Sequence, residues 1–144
     1  MTKPDILKIV IENCDTAICV VDPKQNDSPI IYCNPKFQEL TGYTLGEIIG
    51  SNCRFLQGKD TSKETIDTIR IAVKERMPIQ VTLLNYKKDK TPFWNLLNIK
   101  PIFSSDGEID YFVASQIDLS DYKRQVLVLE EKIKYLEGLQ VNHE

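Results

Sequence analysis

Three runs in the second half of the chain, at about 79–86, 93–102 and 109–117, constrain the fold more than any other feature. Each is rich in aliphatic, β-branched and aromatic residues. They are separated by KKDKT and SSDGE, short polar segments with the chemistry of hairpin turns. Strands joined this closely must run antiparallel as neighbours, so this half reads as a meander. Two earlier runs also read as strands: 16–22, closed by Asp22-Pro23, and 29–33. Helical signals lie between the pair and the trio. Asn34 with Pro35 forms a helix start, and Gly42 stops that helix. Short helical turns are expected through 45–58. Thr61 with Glu64 fits a capping box before a helix reaching about Arg76, with Pro78 as its stop. Residues 4–13, with Ile6, Ile9 and Val10 at helical spacing, predict a short amphipathic helix. Strands, then helices, then strands describe an α+β domain on one antiparallel sheet. The chain divides into an N-terminal helical cap at 1–15, a core at 16–118 and a C-terminal helix at 119–144, with no internal repeat.

Composition narrows the chemistry. The 144 residues suffice for a self-supporting core. A net charge of −3 argues against gripping nucleic acid. The single histidine, His143, sits next to the C-terminus, a poor place for a Ser-His-Asp triad, a Cys-His pair or a metal site. The four cysteines, Cys14, Cys19, Cys33 and Cys53, form no CxxC pair, so no zinc or other metal is expected. No signal peptide or transmembrane run is apparent, which suggests a reducing, cytoplasmic setting with free thiols and no membrane partner.

The strand faces carry the first hint of function. Side chains alternate between faces, and one face reads Ile79, Val81, Leu83, Asn85 on the first strand of the meander. It continues as Asn95, Leu97, Ile99 on the second and Phe112, Ala114, Gln116 on the third. Each apolar row carries one amide. An unpartnered buried amide costs about 1–3 kcal/mol. Each amide taken singly could bond backbone or water at a strand end. Taken together they read as the polar lining of a ligand pocket. The opposite faces, with Ile18, Val20, Trp94, Leu96, Tyr111, Val113 and Ile117, are apolar as well. A half-exposed antiparallel sheet is normally polar outside. Either the terminal helices or a second subunit is expected to cover this side.

Leu119, Tyr122, Val126, Leu129, Ile133 and Leu136 are spaced 3, 4, 3, 4, 3. This register suits a short coiled coil or an amphipathic helix lying on its own domain, and both readings stand.

Residues 50–58 read GSNCRFLQG. This closely resembles the flavin-binding motif of light-oxygen-voltage (LOV) photoreceptors, a branch of the PAS sensor domains. Further matches follow in order: N-x-x-F at Asn34 and Phe37, L-T-G-Y at 40–43, N-Y-x-K-D at 85–89, F-W-N-x-L at 93–97 and Y-F-x-x-x-Q at 111–116. The resemblance covers about 16–118. It implies the PAS fold, a five-stranded antiparallel sheet with flanking helices, here as a short LOV type with terminal helical extensions. It also implies a non-covalently bound flavin, usually FMN, and blue-light chemistry. In the family the motif cysteine, here Cys53, forms a reversible adduct with flavin carbon C4a. By family position Arg54 and Arg70 meet the phosphate, a role that suits the forked guanidinium. Asn52, Gln57, Asn85, Asn95 and Gln116 match the family's polar contacts to the ring. Leu56, Leu83, Leu97, Ile99 and Phe112 would pack against it. Gln116 would relay the signal, since a side-chain amide can turn and offer its other end, and the helix after Asp118 would receive it.

Four positions depart from the pattern. Ala17 stands where many members carry Asn, Leu97 where plant members often have Phe, and Ala114 where Gly is usual. Cys19 lies on the inward row of the first strand. The resemblance thus implies a photoreceptor; the short segment after the sheet suggests no enzymatic activity of its own, and the apolar outer face with the terminal register suggests a homodimer through terminal helices and outer sheet face. A light-independent flavin redox sensor and a PAS dimerisation module are the alternatives.

Overall fold

The computed structural model describes residues 2–142; His143 lies outside them. Five strands form one antiparallel sheet: β1 (Ala17–Val21), β2 (Ile30–Cys33), β3 (Ile79–Tyr86), β4 (Pro92–Phe103) and β5 (Ile109–Asp118). Their order is β2-β1-β5-β4-β3. The meander expected from the two short connections is therefore present, and β1 pairs with its last strand. The turns explain the pairing. Lys87 N–H donates to the Thr91 carbonyl at 2.9 Å, with Lys90 at φ 71°. Ser104 N–H donates to the Glu108 carbonyl at 2.8 Å, with Gly107 at φ 85°, a conformation glycine adopts without strain.

Helices α1 (Lys3–Glu12), α2 (Pro35–Thr41), α3 (Leu45–Ile48), α4 (Lys63–Lys74) and α5 (Ser120–Asn142) accompany the sheet, with a 3₁₀ turn at Cys53–Leu56. Asn34 caps α2, Pro35 begins it, and Gly42 ends it at φ 79°. The start of α4 differs from expectation. Its cap is Ser62, whose side chain accepts from Thr65 N–H. The Thr61 hydroxyl is held elsewhere: it donates to the Leu84 carbonyl at 2.7 Å and accepts from Gly58 N–H at 2.9 Å. A tertiary tie to β3 thus moves the cap by one residue and removes the box with Glu64.

Register sets the inward face. Leu83 lies opposite Asn95 and Val81 opposite Leu97 on the β3–β4 ladder. Gln116 lies between Leu97 on β4 and Ala17 on β1, and Ala114 between Ile99 and Cys19. Cys19, Ile30, Cys33, Phe37, Ile48 and Leu56 make the buried core on this face. Asn34 is also fully buried there. Its Oδ1 accepts from Ile18 N–H and Phe37 N–H, and its Nδ2 donates to the Thr16 and Ile11 carbonyls. This tie explains why α2 sits at the end of β1.

The outer face is not covered by the terminal helices. Trp94, Ile102, Phe103, Tyr111 and Ile117 are exposed, and so are Ile6, Ile9 and Val10 of α1. α5 meets the sheet at its first turn, where Leu119 N–H bonds the Trp94 carbonyl, Ser120 Oγ accepts from Trp94 N–H, and Lys123 Nζ lies 3.8 Å from the indole centroid. Leu129, Ile133 and Leu136 remain exposed. The helix leaves the sheet instead of lying on it.

Candidate ligand site

The GSNCRFLQG segment folds into the 3₁₀ turn because Asn52 caps it: Oδ1 accepts from Arg54 N–H at 3.0 Å. The other end of that amide donates to the Asp27 carbonyl at 2.7 Å. Both ends of Asn52 therefore serve the chain itself. The turn faces α4 and the inward side of the sheet, and two adjoining cavities open there.

The wider cavity holds about 300 Å³, the lower end of the range for small-molecule pockets, ~300–1,000 Å³. Asn52, Cys53, Arg54, Gln57 and Arg70 line it on the turn and helix side, with Ile99, Phe112 and Ala114 from the sheet. The narrower one holds about 80 Å³ and is lined by Leu56, Leu83, Asn85, Asn95, Leu97 and Gln116. Cys53, Gln57, Ile69, Ile99 and Ala114 border both, so they form one continuous site. Every residue expected from the sequence to line a ligand site borders it.

The site is polarised along its length. At its outer end Arg54 pairs with Asp27, and Arg70 pairs with Asp67 at 3.0 Å. An anionic ligand group would exchange with these carboxylates. At its inner end Asn95 Nδ2 donates to Asn85 Oδ1 at 2.9 Å, while Asn95 Oδ1 is buried with no donor. Gln116 Oε1 is likewise buried and unpartnered, and its Nε2 has only a long contact, 3.7 Å, to Cys19 Sγ. Buried acceptors left empty are rare because each loses its hydration on folding. Two at one cavity call for a ligand with a polar edge. A flavin fits this donor set, with ring edges for the amides, an apolar body for Leu56, Leu83, Leu97, Ile99 and Phe112, and a phosphate for the arginines.

Cys53 borders both parts of the site. Cys53 packs against the buried cluster that contains Cys19, and the Cys19 thiol lowers the Cys53 pKa below the ordinary thiol value. Cys19 is shifted the other way, well upward, by the neighbouring Cys53 thiol and by complete burial. Of the two thiols, Cys19 is the one held in its protonated form.

Comparison with known proteins bears on this arrangement. The PAS domain family matches residues 15–121. A blue-light-activated histidine kinase 1 of Erythrobacter litoralis (strain HTCC2594) is 48% identical over 73% of this chain and 29% of its own. A blue-light photoreceptor of Listeria monocytogenes is 41% identical over 94% of this chain and 53% of its own. Among solved structures, an RNA-binding light-oxygen-voltage receptor superposes with a TM-score of 0.84 at 30% identity, over 92% of this chain and 37% of that one. The chain belongs to the LOV branch of the PAS family. The LOV domain spans about half the length, or less, of the curated relatives it matches.

Several wall residues of the LOV domain were not among those expected. Ile66, Ile69 and Val73 of α4 face the wider cavity. Their spacing of three and four, with Arg70 between, is an amphipathic signal that the sequence carries. Val21 is the next inward residue of β1 after Cys19 and could have been read from the same alternation. Ser28, on the loop that reverses through Asp27 and Ser28 at positive φ, carried no such signal. Among the described residues no cluster of His, Cys, Asp or Glu is arranged to hold a metal, and no helix is long and apolar enough to cross a membrane.

Proposed function

We propose that this LOV domain binds flavin mononucleotide and senses blue light through Cys53. The observation that carries the reading is the meeting, at one cavity, of a thiol of lowered pKa with two buried amide oxygens that lack donors. When bound, a flavin supplies blue-light absorption and an excited ring carbon open to addition by a thiol. Cys53 would supply the thiol for that addition, sulfur and proton both, and would take both back when it reverses. Arg54 and Arg70 hold the phosphate by releasing Asp27 and Asp67. Asn85, Asn95, Gln57 and Gln116 hold the polar edge of the ring, with Asn52 beside them. Gln116 turns its amide when the group it faces changes from acceptor to donor, and β5 passes this on to Asp118, Leu119 and α5. The relatives' names support blue light as the stimulus.

The same reading makes residues 1–15 a cap, 16–118 the sensory core and 119–144 the output helix. The exposed apolar outer face and the unpartnered face of α5 suit a second copy of the chain, in a cytoplasmic homodimer. The domain itself performs no enzymatic turnover in this scheme.

Protein purified in darkness should be yellow, bleach under blue light and recover in the dark. Cys53→Ala should keep the colour and lose the bleaching; bleaching that survives the substitution refutes the assignment. A yellow protein that never bleaches would instead be a light-independent flavin redox sensor. A colourless protein that takes up no flavin would be a dimerisation module.

A further inference from the structure

The inward face of β1 carries a thiol that the proposed light reaction does not use. Cys19 is completely buried, opposite Ala114 on one neighbouring strand and Cys33 on the other. It belongs to the buried cluster against which Cys53 packs, and its sulfur lies 3.7 Å from the amide nitrogen of Gln116, which borders the narrower cavity together with Cys53. Cys53, by contrast, borders the wider cavity beside the exposed Arg54. The two thiols thus differ in access while sharing one packed cluster. A thiol open to small solutes, backed by a second thiol within reach, is the arrangement of an attacking and a resolving cysteine.

We propose that Cys53 and Cys19 form an intramolecular disulfide when the protein meets a peroxide, and that this modification reversibly removes the thiol needed for light sensing. The Cys53 thiol gives its proton to solvent, and the thiolate attacks one peroxide oxygen. An S–O bond forms, the O–O bond breaks, and the departing hydroxide takes up a proton as water. Cys53 is then a sulfenic acid. The Cys19 sulfur attacks it: the S–S bond forms, the S–O bond breaks, and the Cys19 proton leaves with the hydroxide as a second water. The two sulfurs lose two electrons in all and the peroxide gains them. Cys53 is the first reactant because its pKa is lowered, and thiolates are the nucleophiles. Without a resolving partner, further peroxide would carry the sulfenic acid to sulfinic acid, which thiols do not reverse.

The consequence for light sensing rests on the reading of Cys53 above; the disulfide itself does not. The test treats the full chain with hydrogen peroxide in darkness, both purified with its flavin and after the flavin is removed; the flavin-free chain should react faster, because the cavity bordered by Cys53 is then open. Free thiols are then alkylated and the digest is mapped by mass spectrometry. The expected product is monomeric and lacks two hydrogens. Its tryptic peptides 9–24 and 37–54 are joined, and fragmentation assigns the link to Cys19 instead of Cys14. The bleachable fraction should fall in proportion to the linked fraction and return with dithiothreitol. Cys33→Ser should still form the link. Cys19→Val and Cys19→Ser should form none and should accumulate sulfinic acid at Cys53. A Cys19–Cys33 link, over-oxidised Cys53 in the unsubstituted chain, or no reaction would overturn the proposal. A link formed in a protein that never bleached before treatment supports the disulfide and refutes the photoreceptor reading.

Discussion

Gln116→Leu should make the flavin-free protein more stable and the flavin-bound one weaker. The amide is 4% exposed, its Oε1 has no donor, and its Nε2 has one long contact to sulfur. Leaving a polar group unpaired in the interior costs about 1–3 kcal/mol. Leucine has nearly the same size and carries no polar atom. After allowing for the weak sulfur contact, the gain is about 1–2 kcal/mol, or roughly 3–6 °C in Tm for a domain of this size. With flavin the sign reverses. One or two hydrogen bonds to the ring are lost, about 1–3 kcal/mol, which weakens binding by roughly fivefold to 150-fold. Thermal melts followed by circular dichroism, with and without FMN, read both effects, and a fluorescence titration gives Kd. A flavin-free variant that melts below the unsubstituted chain would show that Gln116 is satisfied, and the argument from empty acceptors would fail. An unchanged Kd would remove Gln116 from the site.

Three further outcomes follow from packing and charge. In Gly58→Ala the new Cβ would lie 2.3 Å from two ring atoms of Tyr86, whose hydroxyl is fixed by accepting from Asp60 N–H. Denaturant titration should show a loss of about 1–3 kcal/mol, largely absent when Tyr86→Ala is the background. Asn34→Ala strips partners from Ile18 N–H and from two carbonyls, so the same titration should show a loss of about 3 kcal/mol or more; a loss near zero would contradict the bonding described. Glu47 has its pKa lowered from 4.5 to about 2 by the Lys88 ammonium and the Thr44 cap. Its contribution is complete above about pH 4.5 and is lost as the pH falls toward 2, so Glu47→Gln should flatten stability against pH in that window.

The strands were legible because alternation and turn chemistry act locally. The amides were legible because a polar residue on an apolar row contradicts its neighbours. Asn34 shows where that reasoning stops. It is as buried as Asn95, yet all of its hydrogen-bonding groups are engaged by backbone, while Asn95 Oδ1 has none. Residue type marks both; only the count of partners separates the structural amide from the one awaiting a ligand. The α4 cap failed for a related reason. Thr61 and Ser62 are equivalent caps by local chemistry, and the Leu84 carbonyl, 23 residues away, decides between them. The closeness of Cys19 to Cys53 likewise depends on how the 3₁₀ turn docks on β1, which no spacing reports.

The junction between sheet and α5 is small enough to test by itself. Gln116 lies three residues before Leu119, and three hydrogen bonds close the junction: Leu119 N–H to the Trp94 carbonyl at 2.8 Å, Trp94 N–H to Ser120 Oγ at 3.0 Å and Ser120 N–H to Asp118 Oδ1 at 2.9 Å. Farther along, Leu129, Ile133 and Leu136 of α5 are exposed, so the polar tie between helix and sheet is this turn. A strain of β5 by a fraction of an ångström at Gln116 must either be absorbed there or break one of these bonds. Ser120→Ala removes one bond, which contributes about 0.5–1.5 kcal/mol, and leaves the flavin site untouched. It should raise hydrogen exchange at 119–126 in the dark toward the level seen under blue light, with bleaching and recovery still present. Unaltered dark exchange in the variant, or identical exchange in dark and light in the unsubstituted chain, would place the output elsewhere than this junction.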